Sequence, residues 1–346
     1  MGRVVVKNSK VTIRDVAKEA GVSVATVSRY LNQNSYMSVD TQKKIQEVMA
    51  RLDYKPNEIA RGLAKKKSNT IALIIPDMTN PFFPDLVRAI EKVAKAKGYS
   101  LLLINSDETE LQAEEFWENF KRRYIDGFIL ASFEVDENFL AILEGLNIPF
   151  VCVDRAVKMD SLNVVWIDNY EGAKIATEHL IDIGCKRIAH ISGPHSFLPS
   201  FERKMGYLDT LAAKCPEQDP IILEGDFSLE SGKALTEKLL KEHGEVDGIF
   251  FANDLMAIGS LKSMKLLNKE VPKDIAIIGF DGIKLTEFVE PALSTIEQPT
   301  YNIGAAVTTK LINIIEKVEN ETIEYDLRVK LVQRESTLGY SGNSKN

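Results

Sequence analysis

The chain has 346 residues, 45% apolar and 27% charged, a mix that fills two or three globular cores and excludes a mostly disordered polymer. No run approaches the roughly 18–20 apolar residues that cross a bilayer. The first ten residues show no signal core, and Cys152, Cys185 and Cys215 are too few and too scattered for a disulfide framework or a zinc site, so a soluble cytoplasmic protein is expected. The net charge of −7 conceals opposite parts: residues 1–67 hold 14 Lys/Arg and 6 Asp/Glu, the remainder 29 and 44. A basic head on an acidic body points to an anionic partner for the head alone.

The first predicted helix runs from Thr12 to Gly21. Thr12 suits its N-cap, Asp15 suits the positive end of the dipole, and Gly21 suits the left-handed residue after the last turn. Ser23 then caps a second helix, Val24–Asn32. So short a connection makes the two helices cross sharply, as in a helix-turn-helix. Ala17, Ala20, Val22, Val27 and Leu31 supply their common core. A third helix begins near Ser38, with Ile45, Val48, Met49 and Leu52 at helical spacing. The second helix keeps a polar face of Ser23, Ala25, Thr26, Ser28, Arg29 and Asn32. In a major groove such a face reads base edges, with Arg29 suited to guanine, and its hydroxyls hold phosphates. The plainer alternative is the solvated side of a three-helix bundle.

After the polar linker Lys65–Asn69, short apolar runs begin at Thr70, Ser100, Gly127, Phe150, Arg187, Gly248 and Ile275. Helical segments separate them, among them Phe83–Lys97, Asn169–Ile183, Ser231–His243 and Asp254–Leu267. This alternation predicts βαβ units in two parallel-sheet domains, joined by crossings near Trp166–Asp168, Gln298–Pro299 and Tyr325–Leu327. Ligands of such sheets sit beyond the C-terminal strand ends. The residues there are Asp77 to Phe83, Asn105 to Asp107, Asp154-Arg155, Ser192 to Pro194 with Phe201 to Arg203, Asn253-Asp254, Gly279 to Asp281, and Gln298. Aromatic faces beside Arg, Asp and Asn suit a neutral sugar. Asp254 has the alternative role of capping the helix it opens, Phe83 and Phe280 that of ordinary core, and Arg203 that of pairing with a surface carboxylate.

Two stretches are more specific. Thr12-Ile-Arg-Asp-Val-Ala-Lys-Glu-Ala-Gly-Val-Ser-Val-Ala-Thr-Val-Ser-Arg-Tyr-Leu-Asn32 resembles the head of the lactose-repressor family of bacterial regulators, and Tyr54-Lys-Pro-Asn57 with Ile59–Ala64 resembles its hinge. The resemblance implies a hinge that becomes helical on operator DNA and wedges a leucine, here Leu63, into the minor groove. The DNA-facing set it implies is Thr12, Ser23, Val24, Ala25, Thr26, Ser28, Arg29, Asn32, Asn57, Leu63 and Ala64. The body resembles the type I periplasmic sugar-binding fold. The expected fold class is therefore an all-α helix-turn-helix head plus an α/β two-lobed periplasmic-binding-protein-like body. Its divisions are a head over residues 1–56, a hinge helix and linker over 57–69, an effector-binding and dimerisation body over 70–340, and a disordered tail over 341–346.

Within that resemblance, Asn80, Phe82, Phe83, Asp154, Arg155, Arg203, Phe227, Asn253, Asp281 and Gln298 fall where ribose-binding proteins and ribose operon repressors place their sugar contacts. Sucrose and fructose operon repressors look similar around Asp154-Arg155, but tend to carry Asp where this chain has Asn253, which favours ribose. The implied function is a homodimeric repressor released from operator DNA by a sugar, with no cofactor, no metal, no membrane partner and no enzymatic activity. Whether a phosphocarrier protein serves as corepressor stays open. A transporter's solute-binding protein would share the body but not the basic head. A sugar kinase or hydrolase would need motifs that do not occur: there is no G-x-G-x-x-G after a strand, no H-E-x-x-H and no G-x-S-x-G. Of the four histidines, only His195 lies in a cleft loop, where a solvated role is the simpler reading.

Overall fold

The computed structural model describes residues 11–31, 37–54, 67–131, 137–153, 163–318 and 325–340. Asn32, Asn57, Leu63, Ala64, Asp154, Arg155 and the tail 341–346 lie outside the described residues. The chain divides into two compact units between Ser68 and Asn69.

The first unit holds α1 (Ile13–Ala20), α2 (Val24–Leu31) and α3 (Val39–Arg51). Gly21 ends α1 in the left-handed conformation, at φ +63°, which a side chain would resist. The Ser23 hydroxyl accepts from the Thr26 N–H at 3.0 Å, so α2 starts where its cap predicts. Thr12 is the N-cap of α1, as expected, in a capping box with Asp15. Its hydroxyl donates to the Asp15 carboxylate at 2.7 Å, and its backbone N–H donates there at 2.8 Å, so the carboxylate does the accepting at this end. Val16, Ala17, Ala20, Val27, Ile45 and Val48 form the buried core.

The second unit has two lobes. The first contains β1 (Thr70–Ile75), β2 (Ser100–Asn105), β3 (Gly127–Ala131), β4 (Phe150–Val153) and β5 (Val164–Val165), in the order β2-β1-β3-β4-β5, with every pairing parallel. The second contains β6 (Ile188–Ser192), β7 (Ile221–Glu224), β8 (Gly248–Phe251), β9 (Ala276–Asp281), β10 (Ser294–Glu297) and β11 (Lys330–Val332), in the order β11-β10-β9-β8-β6-β7. Only β11 runs antiparallel to its neighbour, β10. Helices α4 (Phe82–Ala96), α5 (Glu108–Gln112), α6 (Glu114–Lys121), α7 (Glu137–Gly145) and α12 (Thr300–Glu316) belong to the first lobe, and α8 (Asn169–Asp182), α9 (Leu198–Lys214), α10 (Leu229–Glu242) and α11 (Asp254–Leu266) to the second.

Strands covered by helices on both faces must be apolar throughout, and β1 is. Ile71, Leu73 and Ile75 join one core with α4 and α12, while Ala72 and Ile74 join the other with Trp117, Phe120 and Leu143. The chain passes between lobes where β5 gives way to α8, where β10 gives way to α12, and before β11, the three places the sequence suggested. The lobes also touch directly. Leu255 and Ile258 of α11, and Ile283 after β9, pack into the first lobe's cluster with Phe82 and Phe83.

Candidate functional site

In the first unit, Val27 faces the core while Ser23, Val24, Ala25 and Arg29 are exposed and Thr26 and Ser28 are half-buried. Thr12, at the start of α1, is exposed as well. One side of α2 therefore carries a guanidinium, hydroxyls and small apolar groups, with no acidic residue on the helix. That composition suits a groove edged with phosphates.

In the second unit Arg203, Asp281 and Gln298 come together. Arg203, on α9, is only 4% exposed, so pairing with a surface carboxylate is excluded. Its Nε donates to Oδ1 of Asn169 at 2.9 Å, its Nη1 donates to the Ala252 carbonyl and lies 3.6 Å from Oδ1 of Asp281, and its guanidinium lies 3.7 Å from the centre of the Phe280 ring. Gln298 Nε2 donates to Oδ1 of Asp281 at 2.8 Å. Its Oε1 and the Ser200 hydroxyl are both buried without a hydrogen-bond partner. Burial pushes the Asp281 carboxyl up to about 6, against the opposing pull of Arg203 and Gln298.

Asn253 lies at the end of β8, but its side chain is used internally. Its Oδ1 caps α11 by accepting from the Met256 N–H at 3.0 Å, and its Nδ2 donates to the Phe227 carbonyl at 3.0 Å. Asn253 therefore positions Phe227, which sits at φ +68° with its ring edge-on to Phe197. The cap of α11 is Asn253 and not Asp254. Within the first lobe, the Asn80 side-chain Oδ1 accepts from the Phe82 N–H at 3.1 Å, and the Phe82 and Phe83 rings meet edge to face at 5.4 Å. Both rings are largely buried.

Sequence reasoning missed Asn169, the residue that fixes Arg203. The signal was its place directly after the Trp166–Asp168 crossing. It also missed Ser200 and Phe197. His195 is exposed and pairs with Glu224 at 3.3 Å, so it is a surface residue of the loop. Among the described residues there is no group of three or more His, Cys, Asp or Glu that could hold a metal ion, and no helix long and apolar enough to cross a membrane. The second-lobe set is thus a buried guanidinium, carboxylate and amides next to aromatic rings, which is chemistry for holding hydroxyl groups.

Comparison with known proteins agrees with both units. Residues 12–57 match the family model for bacterial regulatory proteins of the lacI family, and residues 68–335 match that for periplasmic binding proteins and the sugar binding domain of the LacI family. The ribose operon repressor of Halalkalibacterium halodurans is 42% identical over 337 residues, covering 97% of this chain and 99% of that protein. Among solved structures, the Lac repressor dimer bound to operator and an anti-inducer superposes with a TM-score of 0.83 at 28% identity, over 95% of this chain and 100% of that one. A LacI family transcriptional regulator from Enterococcus faecium with bound ribose gives 0.69 at 30% identity, over 77% and 98%. The chain belongs to the LacI family of bacterial regulatory proteins, with a DNA-binding helix-turn-helix head and a sugar-binding body.

Proposed function

We propose that this regulator is a ribose-responsive repressor that acts as a homodimer on operator DNA in the cytoplasm and is released when ribose binds its body. The observation that carries the reading is the buried Arg203–Asp281–Gln298 cluster. It offers donors and acceptors to sugar hydroxyls beside aromatic rings, in a chain 42% identical to a ribose operon repressor. The partnerless Gln298 Oε1 supports it too, because a buried acceptor calls for a donor and a ring hydroxyl is one. In this reading Asn80, Phe82, Phe83, Asp154, Arg155, Arg203, Phe227, Asn253, Asp281 and Gln298 form the effector site, and residues 57–69 serve as hinge and linker.

A ligand shifts a two-state protein only by its differential affinity for the states. Ribose engaging both lobes favours one arrangement of the body. A coupling of about 1–3 kcal/mol is typical, and operator must then weaken ribose binding by the same factor that ribose weakens operator binding. The test is operator affinity with and without saturating ribose, alongside a ribose-dependent thermal shift. Weaker operator binding with ribose is expected. Tighter binding would make ribose a corepressor, and no effect together with no thermal shift would discard ribose.

On the head, Arg29→Ala is expected to cost about 1–3 kcal/mol of operator affinity and to relax base preference at one position of each half-site. Footprinting across operator variants checks this. A uniform loss on all sequences would make Arg29 a phosphate contact instead.

A further inference from the structure

Next to the effector cluster stands a carboxylate that the sugar reading does not use. Asp254 is fully buried. Because Asn253 caps α11, the Asp254 side chain turns toward β9 and β10. Its Oδ2 accepts from the N–H of Gly282 at 2.8 Å and of Ile283 at 2.9 Å, and its Oδ1 accepts from the Thr295 hydroxyl at 2.6 Å. Strand β9 is shaped to admit it, since a Cβ at Gly279 would collide with that Oδ1.

The segment it grips is a strained one. Asp281 has φ +113° and Gly282 φ +77°. Glycine adopts such angles readily, but an aspartate does so only where its surroundings enforce them. The enforcing groups are visible: the two N–H groups that follow Asp281 both reach Asp254, and that of Gly282 is shared with the Thr295 hydroxyl oxygen at 3.2 Å. This turn aims the Asp281 carboxylate at Gln298 and Arg203. It also delivers Ile283 into the first lobe's apolar cluster, beside Phe82 and Phe83.

We propose that Asp254 is a positioning residue for the effector response: without touching the sugar, it clasps the Asp281–Ile283 turn, presenting Asp281 to the ligand and tying that presentation to the packing between lobes. The choice of ribose as probe rests on the function proposed above; the clasp does not. What the clasp needs is an oxygen facing two N–H groups and a polar atom facing Thr295. Burial, and then the nearby charge of Asp281, push the Asp254 carboxyl well above its ordinary range, so the clasp does not depend on a full negative charge. Asparagine can meet the need: its Oδ1 would take the two N–H groups while its Nδ2 donates to the Thr295 hydroxyl oxygen. Alanine cannot.

The experiment compares full-length wild type with Asp254→Ala and Asp254→Asn by calorimetric titration with D-ribose, and by hydrogen exchange at Gly282 and Ile283 without sugar. Asp254→Ala is expected to bind ribose at least about tenfold more weakly and to exchange both amides faster, while Asp254→Asn stays within about threefold of wild type on both measures. Wild-type affinity and protection in the alanine variant would overturn the proposal. So would an asparagine variant as impaired as the alanine one. If the alanine variant does not fold, Thr295→Val replaces it, with a ribose loss of a few-fold expected and an unchanged affinity overturning the clasp. If wild type does not bind ribose, the ribose reading fails, and the exchange rates alone decide the clasp: faster exchange in alanine with protection kept in asparagine upholds it, and any other pattern overturns it.

Discussion

A repressor carrying Asp281→Ala is expected to hold operator DNA as wild type does and to bind ribose about 30-fold to 1,000-fold more weakly, so that saturating sugar no longer releases it. The size follows from what the carboxylate does. It is 7% exposed, lies 3.6 Å from Arg203, and accepts from Gln298 at 2.8 Å. Its removal takes away a hydroxyl acceptor. It also leaves a buried guanidinium without its countercharge, a state that ordinarily costs about 3–5 kcal/mol of stability. The cost is limited here, because Asp281 is not the only group that satisfies Arg203. Arg203 keeps its bonds to Asn169 and to the Ala252 carbonyl and its place over the Phe280 ring. The variant should therefore fold, and its loss should appear in ribose titration and in operator affinity measured with and without ribose. Ribose affinity within about threefold of wild type would place Asp281 outside the sugar site. Loss of operator binding without sugar would show that the residue's role is structural.

The second large effect concerns acid stability and centres on His190. This residue of β6 is fully buried, with its ring stacked on Phe250 at 4.5 Å, Nδ1 3.0 Å from the Phe250 carbonyl, and Nε2 without a partner. Burial holds its pKa down at about 3, below the usual 6.5, so the folded ring stays neutral while the unfolded one takes a proton. Its contribution is intact above about pH 6.5 and is lost as pH falls towards 3. Each pH unit in that window removes about 1.4 kcal/mol, or roughly 5 kcal/mol across it. Asp281 acts in the opposite sense. Its raised carboxyl contributes stability at low pH that is lost as pH rises through about 6. Asp254, raised by burial, acts like Asp281, and His179, lowered by burial, acts like His190, so the total pH profile mixes these groups and the contribution of His190 has to be isolated by comparison with a variant.

His190→Phe keeps a ring against Phe250 but cannot titrate. It forgoes the hydrogen bond to the Phe250 carbonyl, a pH-independent loss of about 1 kcal/mol. Between pH 7 and pH 4.5 it should lose about 2–3 kcal/mol less stability than wild type. Urea unfolding followed by tryptophan emission measures this, because the chain's two tryptophans, Trp117 and Trp166, both lie in the body. Identical pH slopes in wild type and variant would mean that water reaches Nε2 and that the ring titrates normally.

Much of this architecture is written locally. An apolar run bounded by polar turns, such as Thr70–Ile75 or Phe150–Val153, becomes a strand with those same limits, because a strand between two helix layers needs only side chains that dislike water on both faces. The helix starts at Ser23 and Ser38 and the stop at Gly21 were equally legible, since capping is settled within four residues. Reading the residues beyond the strand ends singled out Arg203, Asp281 and Gln298, which the fold brings into one cluster. What one strand end does to another was not legible. Whether Asn253 faces a ligand or caps its own helix, and whether Asp254 caps or reaches across to Gly282 and Thr295, depend on how closely β9 approaches α11, and Gly279 permits that approach only once the sheet is assembled. Asn169 and Arg203 are 34 residues apart in sequence and meet only because α8 and α9 pack together. Short β11, with its exposed first residue and half-buried remainder, gave no apolar run to find; it is a strand because β10 offers an open edge. The sequence by itself determined the longer apolar strands, the capped helices, their order and the residue types at those strand ends. The tertiary structure decided which of those residues meet one another and which cap their own helices, because hydrogen-bond partners and burial are set by distances between segments that are remote along the chain.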